Sequence, residues 1–188
     1  NDPEIGSAER TVCQAGVKQV AAGYILYGSS TILVLTTGHG VDMFVLDQAI
    51  GSFLHVKSGL QIPPGNKTYS VNEAYAEQFP TGYRTYLQWA HENGYSSRYI
   101  GSMVADVHRI LMRGGVFLYP STLKNPGGKL RLLYEANPMA MVMEQAGGAA
   151  FSGTKRTLEV NPTELHERVP VLLGSPEEVK NVQQFIAE

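Results

Sequence analysis

The stretch from Gly127 to Gly148 changes its hydrophobic period halfway along, from that of a strand to that of a helix, as at the strand-to-helix junctions of α/β proteins. Gly127-Gly128 opens it as a turn where the backbone needs freedom. Lys129-Leu130-Arg131-Leu132 alternates polar and apolar residues, the period of a half-buried strand. Asn137 then reads as a helix N-cap and Pro138 as the first helical residue. Met139, Val142, Met143 and Ala146 recur at helical spacing, and Gly147-Gly148 closes the helix. A strand carrying a cation thus runs into a helix N-terminus, with the carboxylate of Glu135 just before it. Free backbone N–H groups and the helix dipole favour anions at such junctions. Two readings stand on these residues alone. One is a buried strand with a well-capped helix, the other an anion-plus-metal site.

The preceding chain fits that junction into an α/β frame. Residues 1–17 are small and polar and read as a connecting loop. Val20–Tyr27, Thr31–Thr36, Asp42–Leu46 and Ser52–Val56 are short β-rich runs separated by turn residues, which predicts an antiparallel meander. Thr31-Ile32-Leu33-Val34-Leu35 is apolar on both faces and is expected to be buried centrally. Pro63 to Asn66 is a loop and Lys67–Val71 a short strand. Thr81–Asn93 reads as an amphipathic helix with Tyr83, Tyr86, Leu87 and Ala90 on one face. Arg98-Tyr99-Ile100 is extended, and Ser102 caps a helix through about Met112. Val116–Tyr119 and Val169–Leu173 are strands, and Ser175-Pro176-Glu177-Glu178 starts a last helix to Ile186. Strands in a run, followed by strands alternating with helices, predict a mixed β-sheet flanked by helices in one domain.

Composition narrows the chemistry. Of 188 residues, 43% are apolar and 17% charged, enough for a substantial core, and the net charge of −2 shows no basic excess for nucleic acid or an anionic membrane surface. The single cysteine, Cys13, excludes an internal disulfide framework and a multi-cysteine zinc site, and fits a reducing compartment. No apolar run approaches the length of a membrane span. The five histidines are scattered without metal-ligand spacing, and His108-Arg109 falls on the polar side of its helix, solvated or at an interface.

Four places invite a ligand. Asn72-Glu73-Ala74-Tyr75 sets an amide and a phenol at a strand end, where Asn72 also serves as a plain N-cap. Arg98 and Tyr99 precede a helix N-terminus, with Gly101 allowing close backbone approach; a surface arginine before a capped helix is the alternative. Tyr119 ends a strand, where a tyrosine can equally close a core. Lys129 is a point charge suited to phosphate, and Glu135 a hard oxygen ligand suited to Mg²⁺ or Mn²⁺. Together these groups suit an anionic, oxygen-rich small ligand such as a sugar phosphate.

Several of these runs resemble class I fructose-1,6-bisphosphatase. They are Val20-Ala21-Ala22-Gly23-Tyr24 with Leu26-Tyr27-Gly28-Ser29-Ser30, Tyr69-Ser70-Val71-Asn72-Glu73, the run from Arg98 to Arg109, Gly115 to Pro120, and above all Gly128 to Ala140. The resemblance implies an α/β/α sugar-phosphate-binding domain over 18–188. It also implies hydrolysis of the 1-phosphate of fructose 1,6-bisphosphate, a step of gluconeogenesis, with Mg²⁺ or Mn²⁺. Asn72, Tyr75, Tyr99, Tyr119 and Lys129 would bind the 6-phosphate. Arg98 would reach the neighbouring subunit's site in a homo-oligomer (dimer or tetramer). Gly101, Ser102 and Met103 would touch the sugar, and Glu135 would be a metal ligand. A cytoplasmic or plastid-stroma location follows from the same resemblance. Asp2-Pro3-Glu4-Ile5-Gly6-Ser7 echoes the family's Asp-Pro-Leu-Asp-Gly-Ser metal motif, but Ile5 replaces its second aspartate. It reads as a chance echo in an interdomain loop, so the N-terminal metal and AMP domain is expected to be absent and the chain alone inactive. A sedoheptulose-1,7-bisphosphatase or dual-specificity relative, and a non-catalytic sugar-phosphate-binding or assembly domain, are the alternatives.

Overall fold

The computed structural model describes residues 11–187, so the Asp2-to-Ser7 echo lies outside it. Strands β1 (Ala22–Leu26), β2 (Ile32–Thr36), β3 (Asp42–Asp47) and β4 (Ser52–Lys57) form the expected meander, antiparallel throughout and in chain order. Central β2 is buried at Val34 and Thr36, but its other face is only half covered. The chain then runs through β5 (Thr68–Ser70), a 3₁₀ turn (Glu73–Gln78), α1 (Thr81–Glu92), β6 (Ser96–Ser97), α2 (Met103–Arg113) and β7 (Val116–Tyr119). It continues with β8 (Leu130–Arg131), a π-helical turn (Leu132–Ala136), α3 (Asn137–Gln145), β9 (Ala149–Ser152) and β10 (Lys155–Arg156). A 3₁₀ turn (Thr157–Glu159), β11 (Arg168–Val169), β12 (Val171–Gly174) and α4 (Pro176–Ile186) complete it.

Six strands form a second, mixed sheet in the order β10-β9-β12-β7-β5-β6, with β5 parallel to both neighbours and the rest antiparallel. Helices cover both faces, as the alternating pattern predicts. Along β7 and β12, side chains alternate between two cores. Val116, Leu118 and Leu172 pack with Tyr83, Tyr86 and Leu87 of α1 and Val179 and Val182 of α4. Phe117, Val171 and Leu173 pack with Val107, Ile110 and Leu111 of α2 and Val142 and Met143 of α3. That second core continues into Ala22, Tyr24 and Val34, so α2 and α3 lie between the mixed sheet and the meander. The layers therefore run meander, helices, mixed sheet, helices.

Three expectations need correction. Asn137 is not an N-cap: it has helical backbone angles and is buried, and its N–H bonds to the carbonyl of Leu132, five residues back. The helix thus begins one turn earlier, as a π-helical turn. Pro138 has no N–H with which to carry an α register through the junction. Ser102 holds the N-cap position of α2 without a side-chain bond. The strand read over Val169–Leu173 is split at Pro170: β11 pairs with β8 outside the mixed sheet, and β12 pairs within it.

His108 is not simply solvated. Its Nδ1 lies 2.8 Å from the Tyr24 hydroxyl of β1, and burial holds its imidazole below the ordinary value. In the unfolded chain His108 protonates near pH ~6.5, while the folded chain resists protonation until lower pH. The unfolded state then binds more protons, so this group makes stability fall as pH drops below ~6.5. Urea midpoints at mildly alkaline and mildly acidic pH should separate more in the native protein than in His108→Gln; equal separations would refute the assignment.

Candidate functional site

Strands β5 and β7 run parallel side by side, and both faces of their sheet are covered, so open space lies at the strand ends. The chain leaves β5 into the 3₁₀ turn and leaves β7 through Pro120 into the 120–129 loop. Between these exits is a cleft of about 160 Å³. Asn72, Tyr75, Tyr119 and Lys129 line it, with apolar wall from Phe79 and Leu118. Asn72 is fixed by the turn it caps: its Oδ1 accepts the N–H of Ala74 at 3.2 Å. Tyr99 stands beside the cleft. Burial raises its phenol pKa, Tyr119, Asp106 and Tyr75 raise it further, and a hydrogen bond from the Asn72 side chain opposes them. Four of the residues expected to hold phosphate thus line one cleft, and the fifth adjoins it. No carboxylate among the described residues lines the cleft, which leaves it suited to an anion.

Gly128 sets up Lys129. Its φ is +89°, and a Cβ there would run into the backbone of Val169 and Pro170. Only glycine lets the loop turn this tightly against β11. Lys124, Thr122 and Asn125 also line the cleft and were not anticipated. Thr122 and Asn125 exchange backbone hydrogen bonds of 3.1 and 3.0 Å, folding the loop back over it. The Lys124-Asn125-Pro126-Gly127 run signals a turn, but nothing in it says where the turn is placed.

The segment bearing Arg98 and Tyr99 is held by a carboxylate the sequence reading overlooked. Asp106, fully buried, accepts the N–H of Ile100 at 3.1 and 3.2 Å and that of Gly101 at 3.3 Å. Arg109 donates to Asp106 at 2.8 Å and, through its other terminal nitrogen, to the carbonyl of Arg98 at 2.8 Å. Gly101 and Ser102 are exposed at the start of α2, while Met103 packs partly into the core. Arg98 lines a separate groove with Arg109 and Arg113 and is not among the residues lining the cleft.

Glu135 is not among the residues lining the cleft. It lies in the π-helical turn, where its Oε2 accepts the N–H of Arg131 at 2.6 Å and lies 3.7 Å from that guanidinium. No group of three His, Cys, Asp or Glu side chains able to hold a metal ion occurs among the described residues. Glu135, engaged by Arg131, does not make a metal site by itself.

Known proteins match this arrangement. The model for the C-terminal domain of fructose-1-6-bisphosphatase matches residues 62–187, and that for its N-terminal domain matches residues 2–58. The chain therefore belongs to the fructose-1,6-bisphosphatase family. The two matches divide it between 58 and 62, at the loop separating the meander from the mixed sheet. A class 1 fructose-1,6-bisphosphatase of Synechococcus elongatus is 53% identical over 180 residues, covering 95% of this chain and 52% of that protein. The chain spans about half the length of the curated relatives it matches. The fructose-1,6-bisphosphatase of Leishmania major superposes with a TM-score of 0.93 in its holo form, at 46% identity over 98% of this chain and 57% of that one. Its apo form gives 0.95 at 46% identity, over 100% of this chain and 61% of that one.

Removing Arg109 leaves the buried Asp106 carboxylate without its counter-charge. Arg109→Ala should cost about 3 kcal/mol of stability by chemical denaturation. A loss under about 1 kcal/mol would show that the two N–H donors suffice.

Proposed function

We propose that this chain carries the sugar-phosphate site of a fructose-1,6-bisphosphate 1-phosphohydrolase, which releases fructose 6-phosphate and phosphate. The observation that carries this reading is the cleft between β5 and β7, where Asn72, Tyr75, Tyr119 and Lys129 converge with Tyr99 alongside. Phenols, an amide and an ammonium donate hydrogen bonds to phosphate oxygens, and the lining offers no carboxylate to repel them. These residues bind the 6-phosphate and thereby fix the position of the sugar, which is how remote binding energy serves a reacting centre. Glu135 is the carboxylate that the resemblance assigns to a divalent metal, Mg²⁺ or Mn²⁺. The described residues do not complete that site, so the 188-residue chain should bind sugar phosphate without hydrolysing it.

Calorimetric titration with fructose 6-phosphate tests this. Lys129→Ala should weaken binding about tenfold to a hundredfold, the worth of a hydrogen bond to a charged group. Unchanged affinity would remove Lys129 from the site. Phosphate release from fructose 1,6-bisphosphate at the rate of a complete relative would refute the division of labour.

Arg98 is not among the residues that line its own cleft, consistent with service to the cleft of a neighbouring copy. In a complete homo-oligomer, copies bearing Arg98→Ala mixed with copies bearing Lys129→Ala should recover activity in part. Each mixed pair then holds one cleft with both residues. Mixtures no more active than either variant alone would count against the assignment.

A further inference from the structure

Glu73 follows Asn72 directly, yet its carboxylate turns to the protein rather than to the cleft. Donors from three elements surround it. Tyr69 of β5 donates its hydroxyl to Oε1 at 2.7 Å, and Ser97 of β6 donates to the same oxygen at 3.0 Å. The Nε2 of His91, in α1, lies 3.1 Å from Oε2 and 2.8 Å from the Tyr69 oxygen. Since Tyr69 gives its proton to Glu73, its oxygen is left as an acceptor. His91 therefore carries a proton on Nε2 and shares it between Tyr69 and Glu73.

The connection matters because of what it joins. On one side is the turn bearing Asn72 and Tyr75. On the other is Ser97, immediately before Arg98 and Tyr99. Strand β6 is two residues long and lies at the sheet edge, paired only with β5. Its backbone is held by Ser96 N–H to the carbonyl of Lys67 at 2.8 Å and Arg98 N–H to that of Tyr69 at 2.9 Å. So short an edge leaves side-chain position to be set by other contacts. Beyond Arg98, Asp106 holds Ile100 and Gly101. Tyr99 is thus suspended between two carboxylates, Glu73 through Ser97 and Asp106 through Ile100.

We infer that Glu73 is a positioning residue that fixes the distance between Asn72–Tyr75 and Arg98–Tyr99, two of the segments that supply the phosphate-binding groups. This rests on the sugar-phosphate reading of the cleft. The Glu73 side chain is 34% exposed and that of His91 55%, so the network is too solvated to add much to global stability. Its effect falls on geometry.

The test titrates fructose 6-phosphate into the 188-residue chain and records the urea midpoint of each variant. Glu73→Ala should weaken binding about tenfold, in the range for groups that orient a ligand-binding residue, with little change in midpoint. Glu73→Gln should restore most of the affinity, because its amide oxygen still accepts from Tyr69 and Ser97. Ser97→Ala, a small surface change, should weaken binding by a lesser factor and keeps the test available if Glu73→Ala does not fold. Lys129→Ala and Tyr75→Phe are run alongside. If these weaken binding and the Glu73 and Ser97 variants do not, the positioning role is overturned while the cleft stands. If binding falls only in step with the midpoint, and glutamine gives no rescue, Glu73 is merely structural. If Lys129→Ala and Tyr75→Phe bind as well as the native chain, the cleft reading fails and takes this inference with it.

Discussion

The burial of β7 and β12 on both faces is the constraint from which the rest follows. Their side chains point alternately into two separate cores, one with α1 and α4 and one with α2 and α3. A sheet so covered has no free face to offer a ligand. Polar chemistry is pushed to the strand ends, where the backbone must leave the sheet and its N–H and C=O groups need other partners. The cleft opens where two parallel neighbours, β5 and β7, end together. The meander adds a further layer over α2 and α3, which deepens the core.

At the edge, regular hydrogen bonding gives way to carboxylates. Asp106 takes two backbone N–H groups and a guanidinium, and Glu73 takes two hydroxyls and an imidazole. They differ in burial, and so in what they contribute. The Asp106 side chain is fully buried, so its partners are obligatory: an unpaired carboxylate there would be strongly destabilising. Glu73 is partly in water, and losing one partner lets solvent replace it. One carboxylate holds the loop's fold and the other adjusts its aim.

Much of this was legible in the sequence because local and global preferences agree. The meander follows from short β-rich runs between turn residues, and the buried set of α1 is the one its period predicts. The fold class of a mixed sheet flanked by helices follows from strands that alternate with helices. Asn72, Tyr75, Tyr119 and Lys129 were recognisable from residue type at strand–helix junctions and from family resemblance, and they share a cleft. Other features depend on partners far along the chain. Strand β9 is four residues of Ala149-Ala150-Phe151-Ser152, with no alternation to distinguish it, and pairing with β12 and β10 makes it a strand. His108 looks solvated on its own helix until β1 packs Tyr24 against it. Lys124 reaches the cleft because Gly128 folds the loop against β11, a contact no local pattern encodes.

The π-helical turn explains why Lys129 and Glu135, six positions apart, have separate surroundings. A turn wider than an α-turn changes which way each side chain projects, and π-helical turns occur frequently at functional sites. Here the turn brings Glu135 back onto the N–H and guanidinium of Arg131. The carboxylate is thereby held in place and partly neutralised by its own segment. A hard divalent cation requires about six oxygen ligands in octahedral geometry, and one carboxylate already engaged by an arginine cannot supply them. Among the described residues, no group of three His, Cys, Asp or Glu side chains able to hold a metal adds to it. The cleft, by contrast, gathers its donors from the 3₁₀ turn after β5, from β7 and from the loop between β7 and β8, all among the described residues. The residues gathered at the ends of the mixed sheet thus suit a phosphate by themselves, whereas Glu135 alone does not make a metal site.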